Sequence, residues 1–186
     1  VQAWVVGPGA GDDAGTVAEV LAADVPVLVD ADGLRLADAA AVRGRTAPTL
    51  MTPHAGEAAA LLGVTREEVE RARLAAAREL AARYRATVLL KGSTTLVADA
   101  GGAGVVRVNA TGTAWLATAG SGDVLSGLAG SLLAAGLSAL DAGSVGAYLH
   151  GLAGRFAAHG APVGAHDVAE TIREAWRDVR DRAVRD

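Results

Sequence analysis

The chain has 186 residues, 51% of them hydrophobic and 20% charged, with a net charge of −4 and no cysteine. This length and balance suit one globular domain with a sizeable core, and the lack of cysteine excludes disulfides, thiolate metal sites and a cysteine nucleophile. Arginines lie among acids instead of clustering, which argues against a nucleic-acid-binding face, and no apolar run is long enough for a membrane span.

Val1 opens straight into a strand pattern, with no initiator methionine and no signal-peptide pattern. The expectation is a cytoplasmic chain that lacks its N-terminal part. Ala3 to Val6 is a short apolar run that ends at Gly7-Pro8-Gly9-Ala10-Gly11, a strand followed by a glycine-rich turn. Thr16 to Ala23 reads as a helix started by Asp12 or Asp13. Pro26 to Asp30 is a buried-strand run with Asp30 and Asp32 at its C-terminal end, and a short helix covers Leu34 to Ala40. Thr49 to Thr52 is a third strand, followed by Pro53-His54-Ala55-Gly56-Glu57 and a helix through Leu62.

Arg66 to Arg85 has one apolar stripe, Val69, Ala72, Ala76, Leu80 and Tyr84, with Glu67/Arg71 and Glu79/Arg83 spaced four apart. That predicts a single amphipathic helix. Thr87 to Leu90 is another buried strand, running into Lys91-Gly92-Ser93. Thr95 to Ala98 and Val105 to Val108 are strands joined by a hairpin turn at Asp99-Ala100-Gly101-Gly102. Helices are expected at Val124 to Ala135, Ala139 to Ala158 and Val168 to Arg185.

Strands that are almost continuously apolar and alternate with helices indicate a mostly parallel sheet covered on both faces. Ligands bind at the carboxyl ends of the strands in such sheets. Gly7-Pro8-Gly9, Asp30 and Asp32, His54 and Glu57, and Lys91 all follow strand ends directly, so they converge on one edge.

One further stretch carries chemistry. Thr118-Ala119-Gly120-Ser121-Gly122-Asp123 precedes an apolar helical pattern. Glycines let backbone approach a ligand closely, and the first N–H groups of a helix lack internal partners, so they form an anion site strengthened by the helix dipole. Asp123 stands at the mouth of that site. Two readings are open on these residues alone: a carboxylate that takes a proton or meets a metal, or a helix cap. The other polar candidates have equally plain structural readings. His54 can cap the following helix, Glu57 can serve its dipole, Lys91 can be a solvated charge, and Asp30 or Asp32 can tie down a turn. His150, His159 and His166 read as surface or packing residues, and Asn109 and Thr111 as braces for the glycine-rich turn.

Taken in order, these motifs resemble the ADP/ATP-dependent NAD(P)H-hydrate dehydratases of the ribokinase-like superfamily. The resemblance rests on Gly-Pro-Gly-x-Gly at 7–11, Val-Asp-Ala-Asp at 29–32 and Thr-Pro-His-x-Gly-Glu at 52–57. Leu-Lys-Gly at 90–92 and Ala-Thr-x-Gly-x-Gly-Asp-Val-Leu-x-Gly at 117–127 complete it. The most specific motif is Thr-Pro-His-x-Gly-Glu. The resemblance implies a three-layer αβα sandwich with a mostly parallel central sheet, and a single domain over residues 1–186 that lacks its first strand–helix units.

It also implies a reaction: dehydration of hydrated NADH or NADPH by phosphorylating the ring hydroxyl and eliminating phosphate. Asp123 would be the general base, and N–H groups around Gly120 and Gly122 would stabilise the transferred phosphoryl group. Gly9, His54 and Asp123 would contact the hydrated dinucleotide. Lys91, Gly92, Ser93, Thr94, Thr95 and Gly122 would contact the nucleotide. Glu57 would organise Mg2+ indirectly, and the co-substrate would be ADP or ATP, with ADP favoured by analogy. A homo-oligomer, and an epimerase domain in a longer parent chain, belong to the same expectation.

The chain departs from the family at Gly112-Thr113-Ala114-Trp115-Leu116, where Gly-Asn-Pro-Gly is usual. Trp115 could reshape the nucleotide side or cover the anion site. Ser121 stands where Met or Thr is common; because the contact there is backbone, the exchange should be tolerated. Two alternatives stand beside this reading: a vitamin-precursor hydroxymethyl kinase using the same Asp123 chemistry, and an inactive nucleotide-binding module. Thr-Pro-His-x-Gly-Glu argues against the first.

Overall fold

The computed structural model describes residues 1–100 and 104–183. Three short parallel strands open the chain: β1 (Trp4–Val6), β2 (Val27–Val29) and β3 (Thr49–Met51). Between them lie α1 (Ala14–Ala22), α2 (Asp32–Leu36) and α3 (Ala39–Arg43). Then come α4 (Ala55–Leu62), α5 (Arg66–Arg71), α6 (Arg73–Tyr84) and β4 (Thr87–Leu90), which is parallel to β3. The hairpin strands β5 (Thr95–Ala98) and β6 (Val106–Asn109) extend the sheet antiparallel, in the order β1-β2-β3-β4-β5-β6. The chain finishes with α7 (Ser121–Ala134), α8 (Ala139–Ala158) and α9 (Ala165–Ala183). Of the expected hairpin turn, Gly101 and Gly102 lie outside the described residues.

Strands β2 to β5 are buried throughout, while the edge strands β1 and β6 are partly exposed. Residues of the inner strands alternate between two cores. Val27, Val29, Met51, Val88 and Leu90 pack with the helices from α1 to α6. Leu28, Leu50 and Leu89 point the other way and meet Leu125, Ala129, Leu133 and Ala142 of α7 and α8. A third cluster joins α8 to α9 through Leu149, Ala153, Val168 and Ala175. This is the three-layer αβα sandwich expected from the sequence. Small residues let the helices sit close: a Cβ on Gly146 of α8 would come 3.1 Å from the Ala129 Cβ of α7.

Local signals set several helix ends. Asp13 caps α1 by accepting from Thr16 N at 3.0 Å, which settles the choice between Asp12 and Asp13. Thr65 and Glu68 form a capping box at α5, and α4 ends at Gly63 in the left-handed region (φ 74°).

Two expected helices are broken. The 34–40 segment divides into α2 and α3, because Asp38 takes an extended conformation and caps α3 through Ala40 N. The single helix over Arg66 to Arg85 divides at Ala72 (φ −133°, ψ 44°). Ala72 is exposed and leaves the stripe, while Val69 of α5 and Ala76, Ala77 and Leu80 of α6 each reach the core. Packing on the sheet, which helix propensity does not encode, decides the break. It also releases Arg73 toward the loop after β4. A short 3-10 turn at Ala114–Leu116 had no signal in the sequence.

Candidate active site

The register brings the strand-end motifs together. Val6, Val29 and Met51 are aligned across β1, β2 and β3. Asp30 N bonds to Val6 O, Thr52 N to Val29 O, and Lys91 N to Pro53 O, so the segments leaving the strands remain laced at their carboxyl ends. The glycine turn after β1 is pressed against the one after β2. Gly7 has φ 122°, and a Cβ there would lie 1.8 Å from the Asp30 carbonyl oxygen, so only glycine fits. Asp32 does tie down this turn, accepting from Gly11 N at 2.9 Å.

Asp30 has a different place. It is 1% exposed, and its two carboxylate oxygens are divided between two partners. Oδ1 accepts from Lys91 Nζ at 2.6 Å, and Oδ2 accepts from Ser126 Oγ, in α7, at 2.6 Å. Burying this carboxylate is tolerable because it is both paired and hydrogen-bonded. Lys91 is therefore no free surface charge: its ammonium also lies 3.7 Å from Glu57 Oε2. Gly122 closes over the pair, since a Cβ there would stand 3.5 Å from Lys91 Nζ and 3.9 Å from Asp30 Oδ2. One carboxylate thus joins the ends of β2 and β4 to the first turns of α7.

His54 and Glu57 interlock at the start of α4. His54 Nδ1 accepts from the N–H of Gly56 and Glu57, and Glu57 Oε2 accepts from His54 N at 2.7 Å. His54 is thus a cap, and it is also part of the cavity wall described below. Its other ring nitrogen, Nε2, lies 3.5 Å from Glu57 Oε1.

At α7 the N-cap is Gly120, in the left-handed region (φ 82°), with no side chain capping the helix. Ser121 N bonds to Thr118 O and Val124 N to Gly120 O. Between them, the N–H groups of Gly122 and Asp123 take no acceptor among the described residues. The Asp123 side chain is exposed and has no hydrogen-bond or ion-pair partner among those residues, so it is not the helix cap. It stands beside two outward N–H donors at the positive end of a 14-residue helix.

A cavity of about 540 Å3 runs along this edge. That volume falls in the range of small-molecule sites. His54 and Gly56 form one part of its wall, Lys91, Gly92, Ser93 and Thr95 a second, and Ser121 and Gly122 a third. Gly9, Glu57, Thr94, Gly120 and Asp123 are not among the lining residues. Ala114 and Leu116 line the cavity and Trp115 between them does not; its side chain is 40% exposed.

His150, read from the sequence as a surface or packing residue, is buried in the cavity wall. Its Nε2 lies 3.3 Å from Ser121 Oγ. Burial pushes its pKa down to about 4, with the Lys91 ammonium adding to the effect, so the ring is neutral at pH 7. No local motif marks this residue, because it enters the site only through the packing of α8 on α7. His159 ends α8 in the left-handed region, and His166 is exposed beside Glu170. Asn109 and Thr111 do not brace the turn at 120; they bond each other and the Ala147 and Tyr148 carbonyls of α8.

Among the described residues no group of three or more His, Asp or Glu side chains could hold a metal, and no helix is long and apolar enough to cross a membrane.

Residues 1–174 match the family model described as NAD(P)H-hydrate dehydratase. The chain is 42% identical, over an alignment of 194 residues, to the ADP-dependent (S)-NAD(P)H-hydrate dehydratase of Neisseria meningitidis serogroup B, covering all of this chain and 65% of that one. It is 50% identical over 163 residues to the bifunctional NAD(P)H-hydrate repair enzyme Nnr of Mycobacterium leprae, covering 85% of this chain and 33% of the relative. The chain therefore spans between a third and two thirds of the length of these relatives. Among solved structures, the ADP/ATP-dependent NAD(P)H-hydrate dehydratase of Bacillus subtilis, co-crystallised with ATP/Mg2+, superposes with a TM-score of 0.84 at 29% identity, over 95% of this chain and 64% of that one. A ribokinase-like superfamily protein of Enterococcus faecalis superposes with a TM-score of 0.74 at 24% identity, over 94% of this chain and 64% of that one, and agrees with the fold alone. On the family match over residues 1–174, the chain belongs to the NAD(P)H-hydrate dehydratase family, and its αβα sandwich is ribokinase-like.

Proposed function

We propose that this chain forms a single domain that uses ADP or ATP to dehydrate NADH or NADPH hydrated on the nicotinamide ring. The observation that carries this reading is the uncapped start of α7: Asp123 beside two free N–H groups, next to a cavity that His54 and the 91–95 loop also line.

The chemistry follows from that arrangement. Hydroxide leaves poorly from the ring, and phosphate leaves well. Asp123 would accept the proton of the ring hydroxyl as its oxygen attacks the terminal phosphorus of the nucleotide. The oxygen–phosphorus bond forms, the bond to the leaving nucleotide oxygen breaks, and the N–H groups of Gly122 and Asp123 stabilise charge on the transferred group. The ring nitrogen's electron pair then expels the phosphate to leave an iminium, and loss of a proton from the adjacent ring carbon to water re-forms the ring double bond of the reduced cofactor. Gly120 sets the turn, Gly9 and His54 would face the dinucleotide, and Lys91 to Thr95 the nucleotide. A carboxylate with no partner suits a base that must accept a proton.

Magnesium has little prepared for it by the protein. Glu57 is the candidate the resemblance offers, and its carboxylate is engaged by His54 N and lies close to Lys91. The side chains build no cage, so the ion would have to arrive with the phosphates, which suits its preference for few protein ligands.

The test supplies hydrated NADH or NADPH with magnesium and either ADP or ATP and follows the return of dihydronicotinamide absorbance. Recovery with a nucleotide and none without it is expected; no recovery with either nucleotide overturns the reading.

A further inference from the structure

Lys91, Gly92, Ser93 and Thr95 line the cavity, and the segment after β6 reaches it at Gly112. An arginine holds each of these two segments by its carbonyl groups. Arg73, the first residue of α6, lies behind the 91–95 loop. Its Nη2 donates to the carbonyls of Leu90 (3.3 Å), Lys91 (3.1 Å) and Thr94 (3.3 Å), so one guanidinium spans the beginning and the end of the loop. Its Nη1 donates to Glu70 Oε2 at 3.0 Å, which fixes the fork. The approach is close: a Cβ on Gly92 would stand 2.5 Å from Arg73 Nη2.

Arg155, on α8, treats the segment after β6 in the same way. Its Nε donates to the Thr111 carbonyl, and its Nη2 donates to Ala110 O at 2.9 Å and Gly112 O at 3.1 Å. Three successive carbonyls are gathered by one side chain. The two segments then touch each other, since a Cβ on Gly112 would lie 2.5 Å from the Ser93 carbonyl oxygen.

A planar guanidinium with several fixed donors can hold carbonyls in one arrangement, where a lysine ammonium makes only point contacts. Loops on their own are mobile, and ordering them on binding costs affinity that a preformed wall saves.

We propose that Arg73 and Arg155 are positioning residues that preorganise the 91–95 and 110–112 segments as one nucleotide-binding wall, coupled through the Ser93–Gly112 contact. This rests on the reading of the cavity as a nucleotide site. Neither arginine needs to touch the ligand. Each acts through the backbone it holds, and loosening one segment loosens the other.

The test compares Arg73→Lys, Arg155→Lys and the double variant, with thermal melts to establish that each is folded. ADP affinity is read by calorimetry, and KM for nucleotide and for hydrated dinucleotide are read separately. Each single variant should weaken ADP by about tenfold, the size expected for losing charge-assisted hydrogen bonds. KM for the dinucleotide and kcat should hardly move, and the double variant should fall short of the hundredfold product of two independent effects. Amide exchange in the unliganded protein provides a reading without nucleotide: Arg73→Lys should speed exchange at 110–112 as well as at 91–95. Unchanged ADP affinity in both single variants, multiplicative losses, or exchange confined to the segment each arginine holds would overturn the proposal. A wild-type chain that binds neither ADP nor ATP would instead sink the nucleotide-site reading itself, and the exchange result would stand apart from it.

Discussion

Lys91 and Asp30, 61 residues apart in sequence, meet at 2.6 Å where β2 and β4 end. The carboxylate is 1% exposed and the lysine side chain 19% exposed, and Ser126 holds the second carboxylate oxygen. Replacing the carboxylate leaves the mostly buried Lys91 ammonium with only the longer 3.7 Å approach to Glu57. Asp30→Asn should therefore cost about 3 kcal/mol of folding stability. Denaturant unfolding measures this, and a loss under about 1 kcal/mol would mean that the pair contributes little to holding α7 in place.

Asp123 presents the opposite case. It is exposed and has no partner among the described residues, so Asp123→Asn should leave stability within about 0.5 kcal/mol of the wild type. Turnover should fall by about 10² to 10⁴, the usual worth of a general base, with ADP affinity nearly unchanged. A variant that turns over at close to the wild-type rate would remove Asp123 from the role of base.

Gly122 separates folding from function in another way. It lies within α7 at a helical φ, and a Cβ there would meet Lys91 Nζ at an ordinary 3.5 Å. Gly122→Ala should therefore be neutral or stabilising by about 0.5 kcal/mol, as alanine is the better helix former. Yet in the proposed reaction the added methyl group would stand where the phosphoryl group approaches the backbone. The expected result is an equal or higher melting temperature with a loss of turnover of at least about tenfold. Full activity in a folded variant would argue that no ligand approaches this backbone closely.

His150 gives the protein a pH dependence of known sign. Its folded pKa is pushed below 6.5, to about 4, chiefly by burial. Between those values the unfolded chain binds the proton and the folded chain does not, so stability falls as pH drops from 6.5 toward 4. Above 6.5 the ring is neutral in both states and the effect vanishes. The window is worth about 3 kcal/mol. Unfolding free energies measured at pH 7 and pH 5 should show this slope in the wild type and little of it in His150→Gln. An equal slope in both proteins would mean that other groups set it.

Much of the fold was legible because it depends on local chemistry. Continuous apolar runs such as Val27-Leu28-Val29, and the strand-end glycines and carboxylates, are properties of short stretches, and they suffice to bring the motifs to one sheet edge. The break at Ala72 was not legible, since an alanine inside an amphipathic stripe reads as helix until α5 and α6 each find their own place on the sheet. The candidate site divides the same way. Gly120 to Asp123, His54 and the 91–95 loop announce themselves by motif, although the structure gives His54 a cap's hydrogen bonds and sets Asp123 outside the cavity lining.

The sequence by itself determined the αβα class, the edge where chemistry gathers and the helix N-terminus with its neighbouring carboxylate. The tertiary structure alone decided which charges are buried and which remain available. Asp30 is consumed by Lys91 and Ser126, His150 is held neutral against Ser121, and Arg73 and Arg155 are spent on backbone carbonyls. Those partners come from segments tens of residues apart. Burial and partnership fix a charge's role, and both exist only once the chain has closed on itself.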